Sequence, residues 1–242
     1  MKLSAKHLLE EALRRVSGGD KLAGMIDSTL LSQMRGVNAY LNLIAEAQQY
    51  GFRAVVVPSV IPRFKEFRDA AGKAGVRFAV VVGFPHGGVP LDAKILEARH
   101  ALEAGAWELD FVPWLGGGPE YVRSEVEKIV EVAREYGAKV KVIVEASLHT
   151  SESLGRIVDA VARAGADAVK TSTGVYTKGG DPITVYRTWK EASRHGLPVK
   201  AAGGIRTALD ALLAVGAGAS IIGTSSARSV VESFEDIAGV TS

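Results

Sequence analysis

The sequence predicts an α/β protein in which eight parallel strands, each followed by a helix, close into a barrel. Three observations lead there. Seven times a helix-like stretch reaches a glycine and an apolar run follows within a few residues, at Gly51, Gly75, Gly105, Gly137, Gly165, Gly196 and Gly216. The runs are short, β-branched and continuous rather than alternating, as expected of parallel strands covered on both faces. The length of 242 residues also matches the roughly 250 that such a barrel needs. An open doubly wound sheet shares the alternation, but the first βα turn has no GxGxxG and no composition break divides the chain. The expected architecture is a single (β/α)8 TIM barrel with an extra N-terminal helix.

Taken in order, residues 3–17 have amphipathic helical spacing, a cap for the lower end of the barrel or an interface element. Strands are expected at 23–27, 54–57, 77–82, 108–112, 139–145, 167–171, 198–202 and 219–223. Each glycine reads as the residue just past a helix end, where the left-handed conformation carries no Cβ penalty. Between the strands, Val122, Val126, Ile129, Val130 and Val132/Ala133 form one apolar helical stripe, while Pro119 and Asp181-Pro182 signal helix starts. The triple glycine 116–118 reads as a mobile loop. The whole chain, 1–242, is one domain on this reading, with 1–20 a helical extension and 21–238 the barrel.

Composition narrows the function. The chain is 47% hydrophobic and 23% charged, with 29 basic and 27 acidic residues, which is ordinary globular composition with a surplus of only +2. No basic tract or aromatic-interleaved run points to nucleic acid or to an anionic membrane. The absence of cysteine excludes disulfides, thiolate metal sites and cysteine nucleophiles, and fits a reducing, cytoplasmic setting. The N-terminal stretch, interrupted by Lys2, Lys6, Glu10 and Glu11, reads as neither a signal peptide nor a membrane span. Asn occurs only at 38 and 42 and Gln only at 33, 48 and 49, a scarcity of thermolabile amides that leans toward a heat-adapted protein.

Barrel chemistry gathers where strands leave the barrel at their C-terminal ends. Polar residues interrupt the apolar runs there: Asp27 and Thr29 at strand 1, His86 after strand 3, Asp110 in strand 4, Glu145 at the end of strand 5, Lys170 in strand 6 and Lys200 in strand 7. Lys170 and Lys200 lie one βα unit apart. Aligning AVKTSTGV with PVKAAGGI puts them level on strands about 4.8 Å apart. Two ammonium groups about 4 Å apart, at an effective dielectric near 20, repel by about 4 kcal/mol, or roughly 3 pK units. One lysine would then fall toward about 7, where part of it is a neutral amine able to attack a carbonyl and form an imine. The bland alternative is a structural salt bridge with Asp110 or Glu145, for which alternating signs would be the expected arrangement. Asp110 reads either as a satisfied core acid or as a proton relay beside the imine.

Loops after strands 7 and 8 often bind phosphate in barrels. Here they are Gly203-Gly204 and Gly223-Thr224-Ser225-Ser226, the latter opening the last helix, so their N–H and hydroxyl groups suit an anion. Plain helix capping and a tight turn are the competing reading. A metal-dependent aldolase or hydrolase built on His86, Asp110, Glu145 and His149 is a rival reading, disfavoured because the two lysines would repel a cation. A non-catalytic phosphosugar-binding barrel is the other.

The segments AVKTSTG, PVKAAGGIR and ELDFV together resemble the deoxyribose-phosphate aldolases, with further likeness in IDSTLL, GFPHG and VIVEAS across residues 24–228. The resemblance implies that Lys170 forms a Schiff base, that Lys200 lowers its pKa and shares in proton transfer, and that Asp110 relays protons with Lys200 and a water. It implies substrate contacts from Asp27, Thr29, Thr173, Gly174, Gly203, Gly204, Arg206, Gly223, Ser225 and Ser226, with Asp27 in the same polar network. The implied reaction is reversible cleavage of 2-deoxy-D-ribose 5-phosphate to D-glyceraldehyde 3-phosphate and acetaldehyde, in deoxyribonucleotide catabolism. Phosphorylated sugar and aldehyde are then the small-molecule partners, no cofactor or metal is needed, and a homo-oligomer, dimer or tetramer, is expected. The chain departs from the family at Ser28, where His is frequent, and at Pro113, where Asn is frequent. Val175 stands where some members have a phosphate-contacting Lys, a role left to Lys178. The last residues, EDIAGVTS, lack the Tyr with which some members relay protons, leaving Asp110, Lys200 and water.

Overall fold

A computed structural model of the chain describes residues 4–16, 19–32 and 34–238. In order the elements are helix α1 (Ala5–Arg15), α2 (Gly19–Ala23), strand β1 (Ile26–Thr29), α3 (Val37–Tyr50), β2 (Ala54–Val57), α4 (Lys65–Ala74), β3 (Phe78–Val82), α5 (Leu91–Glu103), β4 (Glu108–Phe111), α6 (Gly118–Glu135), β5 (Lys139–Ile143), α7 (Ser151–Arg163), β6 (Ala168–Lys170), α8 (Pro182–Ala192), β7 (Val199–Ala202), α9 (Ala208–Gly216), β8 (Ile221–Thr224) and α10 (Ala227–Ala238). The strands pair in parallel in sequence order and β8 returns to β1, so the sheet is a closed (β/α)8 barrel.

Six of the seven joining glycines have left-handed backbone, as the helix-end reading requires. Gly216 is the exception. It is the last residue of α9, and a Cβ there would lie 2.0 Å from the Leu8 carbonyl oxygen of α1. The missing side chain lets α1 lie directly on α9, where Arg15 donates to the carbonyls of Val215 and Ala219 at 2.6 and 2.9 Å. The extra helix thus docks on α9 and the turn that leads into β8; residues 3 and 17 of its expected span lie outside the described residues. Asp181 caps α8 by accepting from the N–H groups of Ile183 and Thr184. The triple glycine forms a single 3₁₀ turn, Leu115–Gly117, running into α6, rather than a loop.

The expected first strand is displaced. Residues 19–23 form α2, and β1 begins at Ile26, so Asp27 is its second residue and not its end. The short apolar run AGMID carries no periodicity to separate a helix end from a strand start. The displacement puts the Asp27 side chain inside the barrel wall rather than at its rim.

The outward strand faces, including Val55, Val57, Val80, Val82, Leu109, Phe111, Val140, Val142 and Val169, form one apolar core with the helices. The inward face divides in two. Val56, Ala79 and Val81, with Leu31 and Phe84, make a small separate apolar wedge. The other part carries the charges: Asp27, Glu108, Asp110, Lys141, Lys170 and Lys200 are all buried. The buried stripe of α6 also contains Glu125, which is paired with buried Lys94 of α5 at 2.8 Å.

Candidate active site

Parallel pairing sets the geometry. Lys170 at the end of β6 is in register with Lys200 on β7, so both side chains enter the barrel side by side. Glu108 and Asp110 are two residues apart on β4, and the two-residue period of a strand turns both inward. On β5 the same period gives Lys139 and Lys141 one face, and register decides between them. Lys141 lies level with Asp110 and is buried, while Lys139, level with Glu108 at the start of the strand, is exposed.

Asp110 is the hub. Its Oδ2 accepts from Lys170 Nζ at 3.0 Å and from Lys200 Nζ at 2.7 Å, and its Oδ1 accepts from Lys141 Nζ at 3.2 Å. Sharing one oxygen keeps the Lys170 and Lys200 nitrogens within about 6 Å of each other, inside the range needed for strong mutual repulsion. Lys200 also donates to Asp27 Oδ2 at 2.7 Å. On the other side Asp27 Oδ1 and both oxygens of Glu108 accept from the guanidinium of Arg53, just before β2, at 2.6 to 2.9 Å. Glu108 also takes a hydrogen bond from Lys141. Gly223 makes room for this layer, since a Cβ there would stand 2.8 Å from Cε of Lys200.

The titration behaviour follows from these neighbours. Burial is the largest influence on Lys170 and pushes its pKa down; Asp110 opposes it, while Lys200 and Lys141 add to the lowering, and the result is about 8. The repulsion from Lys200 anticipated from the sequence is present, but burial outranks it and Asp110 offsets part of it. Burial pushes Asp27 up, yet Lys200, Lys141 and Arg53 hold it at about 2. Asp110, also pushed up by burial, is held well below the usual carboxylate range by its three lysines. Burial works against the charge of Lys141, but Asp110, Asp27 and Glu108 raise it above the ordinary lysine value.

Above this network opens a cavity of about 310 Å³ at the C-terminal strand ends. Of the three interior lysines, Lys170 alone lines it. Its wall also includes Thr29, Thr173, Gly174, Gly203, Gly204, Arg206, Gly223 and Ser225 from the expected set. Two expected substrate contacts are placed otherwise. Asp27 is fully buried beneath the cavity in ion pairs with Arg53 and Lys200. Ser226 is off the wall, and its N–H is already donated to Thr224 Oγ1 at 2.9 Å.

The loop after β6 is held in shape by Glu145. Its backbone is left-handed at φ 44°, and its carboxylate accepts from the N–H and hydroxyl of Thr173 and from the hydroxyl of Thr177. That fixes Gly174 against Gly203, whose own Cβ would strike Ser172 Oγ at 2.6 Å. Lys178 folds back from the same loop onto the cavity wall, its aliphatic chain 3.5–3.7 Å from where a Cβ on Gly204 would stand. The residues of the rival metal reading do not converge. Asp110 faces three ammonium groups, Glu145 faces threonines and His86 packs edge-on against Tyr176. Among the described residues no group of three or more His, Cys, Asp or Glu is arranged to hold an ion.

Arg53, Glu108 and Lys141 are members of the network that the sequence expectations do not include. The spacing E-x-D in ELDFV and K-x-K in KVKVI was a usable signal, because a two-residue period puts each pair on one face. Arg53 gave none, since it precedes its strand.

Comparison with known proteins places the chain among aldolases. It is 52% identical to a deoxyribose-phosphate aldolase of Aeropyrum pernix over 97% of this chain and 99% of that protein. It is 44% identical to one from Thermococcus gammatolerans over 88% and 96%. A solved structure described as a unique tetrameric structure of the Aeropyrum pernix deoxyribose phosphate aldolase superposes with a TM-score of 0.94, covering 97% of this chain and all of that one. The model of the DeoC/LacD family aldolases matches residues 25–233, and the chain belongs to that family.

Proposed function

We propose that this protein is a class I aldolase that reversibly cleaves 2-deoxy-D-ribose 5-phosphate to D-glyceraldehyde 3-phosphate and acetaldehyde through a Schiff base on Lys170. The observation that carries the assignment is the position of one amine. Lys170 lines the cavity with its pKa lowered to about 8, while Lys200 and Lys141 do not reach its wall. About one Lys170 in ten is then neutral at pH 7, enough to attack a carbonyl.

In the cleavage direction the neutral amine adds to the substrate C1 aldehyde, and loss of water gives the iminium. Removal of the C3 hydroxyl proton lets the C2–C3 bond break, its electron pair passing into the iminium to form an enamine. Glyceraldehyde 3-phosphate departs, the enamine is protonated at C2, and water releases acetaldehyde and the free amine. Lys200 is the nearby ammonium that supports this proton traffic. Asp110, held ionised by three lysines, acts as the shared anion across which protons pass between Lys170 and Lys200, with a water completing the relay.

The phosphate is assigned to the far end of the cavity, on Gly174, Gly203, Gly204, Arg206 and Ser225 just before α10, with Thr29, Thr173 and Gly223 lining the path between. Lys178, on the same wall, supplies the cation that Val175 lacks. Residues 1–242 act as one barrel domain with 1–20 as an extension, and the enzyme works in the cytoplasm as a homo-oligomer. The tetrameric relative supports that assembly, and no described helix is long and apolar enough to cross a membrane.

Incubation with acetaldehyde and borohydride tests the assignment. The expected product is a covalent adduct one ethyl group heavier, located on Lys170. Unmodified protein that still binds a phosphate ester would favour the binding-module alternative, and activity lost to a chelator and restored by a divalent ion would favour the metal one.

A further inference from the structure

Among the described residues the network beneath the cavity contains four cations and three carboxylates, and six of these seven groups close a ring. Arg53 meets Glu108, Glu108 meets Lys141, Lys141 meets Asp110, Asp110 meets Lys200, Lys200 meets Asp27, and Asp27 returns to Arg53. The signs alternate all the way round, so the ring is neutral. Lys170 hangs outside it on the oxygen of Asp110 that Lys200 also uses, and its proton is the one charge with no carboxylate of its own.

We propose that Arg53 is a positioning residue that makes Lys170 the surplus cation of the network, and so decides that this amine is the one to surrender its proton near neutrality. It lies at the N-terminal end of β2, the opposite end of the barrel from the cavity, and is absent from the cavity wall. Its influence therefore passes through the ring. With Arg53 in place, loss of the Lys170 proton leaves the buried cluster neutral. Without that cation the same loss would leave a net negative charge in the barrel, which burial disfavours, so Lys170 would hold its proton to higher pH.

The environment of both groups is defined. Arg53 faces Asp27 from β1, Glu108 from β4 and Lys141 from β5, and it stacks 4.8 Å from the ring centre of Trp107, which Arg77 and Lys139 also approach from the exposed side. Lys170 faces Asp110 from β4, Lys141 from β5 and Lys200 from β7, with Lys178 and Arg206 farther out on the cavity wall. No other carboxylate is hydrogen-bonded to Lys170 among the described residues.

The inference rests on the Schiff-base reading, and the test separates the two. The pH dependence of acetaldehyde trapping by borohydride is measured for the unaltered protein and for Arg53→Met, Arg53→Lys, Glu108→Gln and the Arg53→Met/Glu108→Gln double variant. Removing the cation should move the trapping midpoint up by about one pH unit, the effect of a unit charge roughly 10 Å away at an effective dielectric near 20. Removing the Glu108 charge should move it down by a similar amount, because the cation surplus then grows to two. Arg53→Lys should restore the parent midpoint, and the double variant should return close to it. A purely structural role would lower stability and leave the midpoint in place, or shift both single variants in the same direction; either result overturns the proposal. If Arg53→Met does not fold, Glu108→Gln decides alone: a lower midpoint supports the proposal, and an unchanged or higher one overturns it. No adduct on the unaltered protein would instead remove the Schiff-base reading on which the proposal rests.

Discussion

One carboxylate, Asp110, accepts from three ammonium groups, and the balance among them determines what each can do. Lys200 and Lys170 share its Oδ2, so each weakens the hold of that oxygen on the other. Replacing Lys200 by Leu removes a positive neighbour from Lys170 and leaves Oδ2 to Lys170 alone, and both changes favour the protonated amine. The midpoint for trapping acetaldehyde on Lys170 should therefore rise by about one to two pH units. Asp27 keeps Arg53 and Lys141 as partners, so the fold should survive. Trapping followed across pH, beside a circular dichroism spectrum, checks both parts. An unchanged profile from folded protein would mean that the proximity of the two amines plays no part in lowering Lys170. Asp110 also explains why its relay role cannot include holding the proton for long: with three cations against it, the acid form is disfavoured at any pH where the enzyme would work.

At the scale of elements, seven strands were legible because each follows a glycine at or just past a helix end, and six of those glycines are true left-handed stops, a local signal when a β-branched run comes next. The first strand was read without such a stop, Gly24 falling inside the expected run, and it is the one that was displaced. The inward charges were only half legible. A strand sequence says that Lys139 and Lys141 share a face, but which face, and how far along the barrel, depends on pairing with β4 that is set by the neighbouring strands. Lys170 and Lys200 were legible as a pair because both end at equivalent points of consecutive units. Glu125, hidden in the apolar stripe of α6, was not, because its partner Lys94 sits on another helix. Gly216 taught the opposite lesson, since it matched the joining pattern yet serves α1. Gly216→Ala would force a Cβ against the Leu8 carbonyl and lift α1 off α9, costing about 1–3 kcal/mol as overpacking does. The control is Gly72→Ala in α4, where a Cβ would meet nothing within 4 Å and better helix propensity should leave stability equal or slightly higher. Chemical denaturation of both variants decides it; equal midpoints would show that α1 is not seated on α9.

For the whole molecule, the catalytic amine is a stability cost that the fold carries. Burial above all, with Lys200 and Lys141 adding to it and Asp110 opposing, lowers the Lys170 pKa from 10.5 to about 8. Because the ring beneath the cavity is neutral without Lys170, its ammonium adds an unbalanced charge to a buried cluster. A depressed lysine pKa means that the unfolded chain binds more protons than the native one between those two values, so stability from this group rises with pH across that window. Below about pH 8 the amine is protonated in both states and the full penalty applies, about 3 kcal/mol from a shift of this size. Above 10.5 it is neutral in both and the penalty is gone. Lys170→Met should therefore abolish trapping while making the protein more stable than its parent at pH 6, by up to about 3 kcal/mol, with the advantage shrinking as pH rises through 8 and vanishing near 10.5. Asp110 keeps Lys141 and Lys200 in the variant, so no buried carboxylate is stranded. Denaturation midpoints of the two proteins, compared at one protein concentration from about pH 6 to about 10.5, give the difference directly. A Lys170→Met variant less stable than its parent at low pH, or a difference that does not narrow as pH rises, would show that the charge on Lys170 is compensated in the native barrel, and the amine would then have no electrostatic reason to be neutral when substrate arrives.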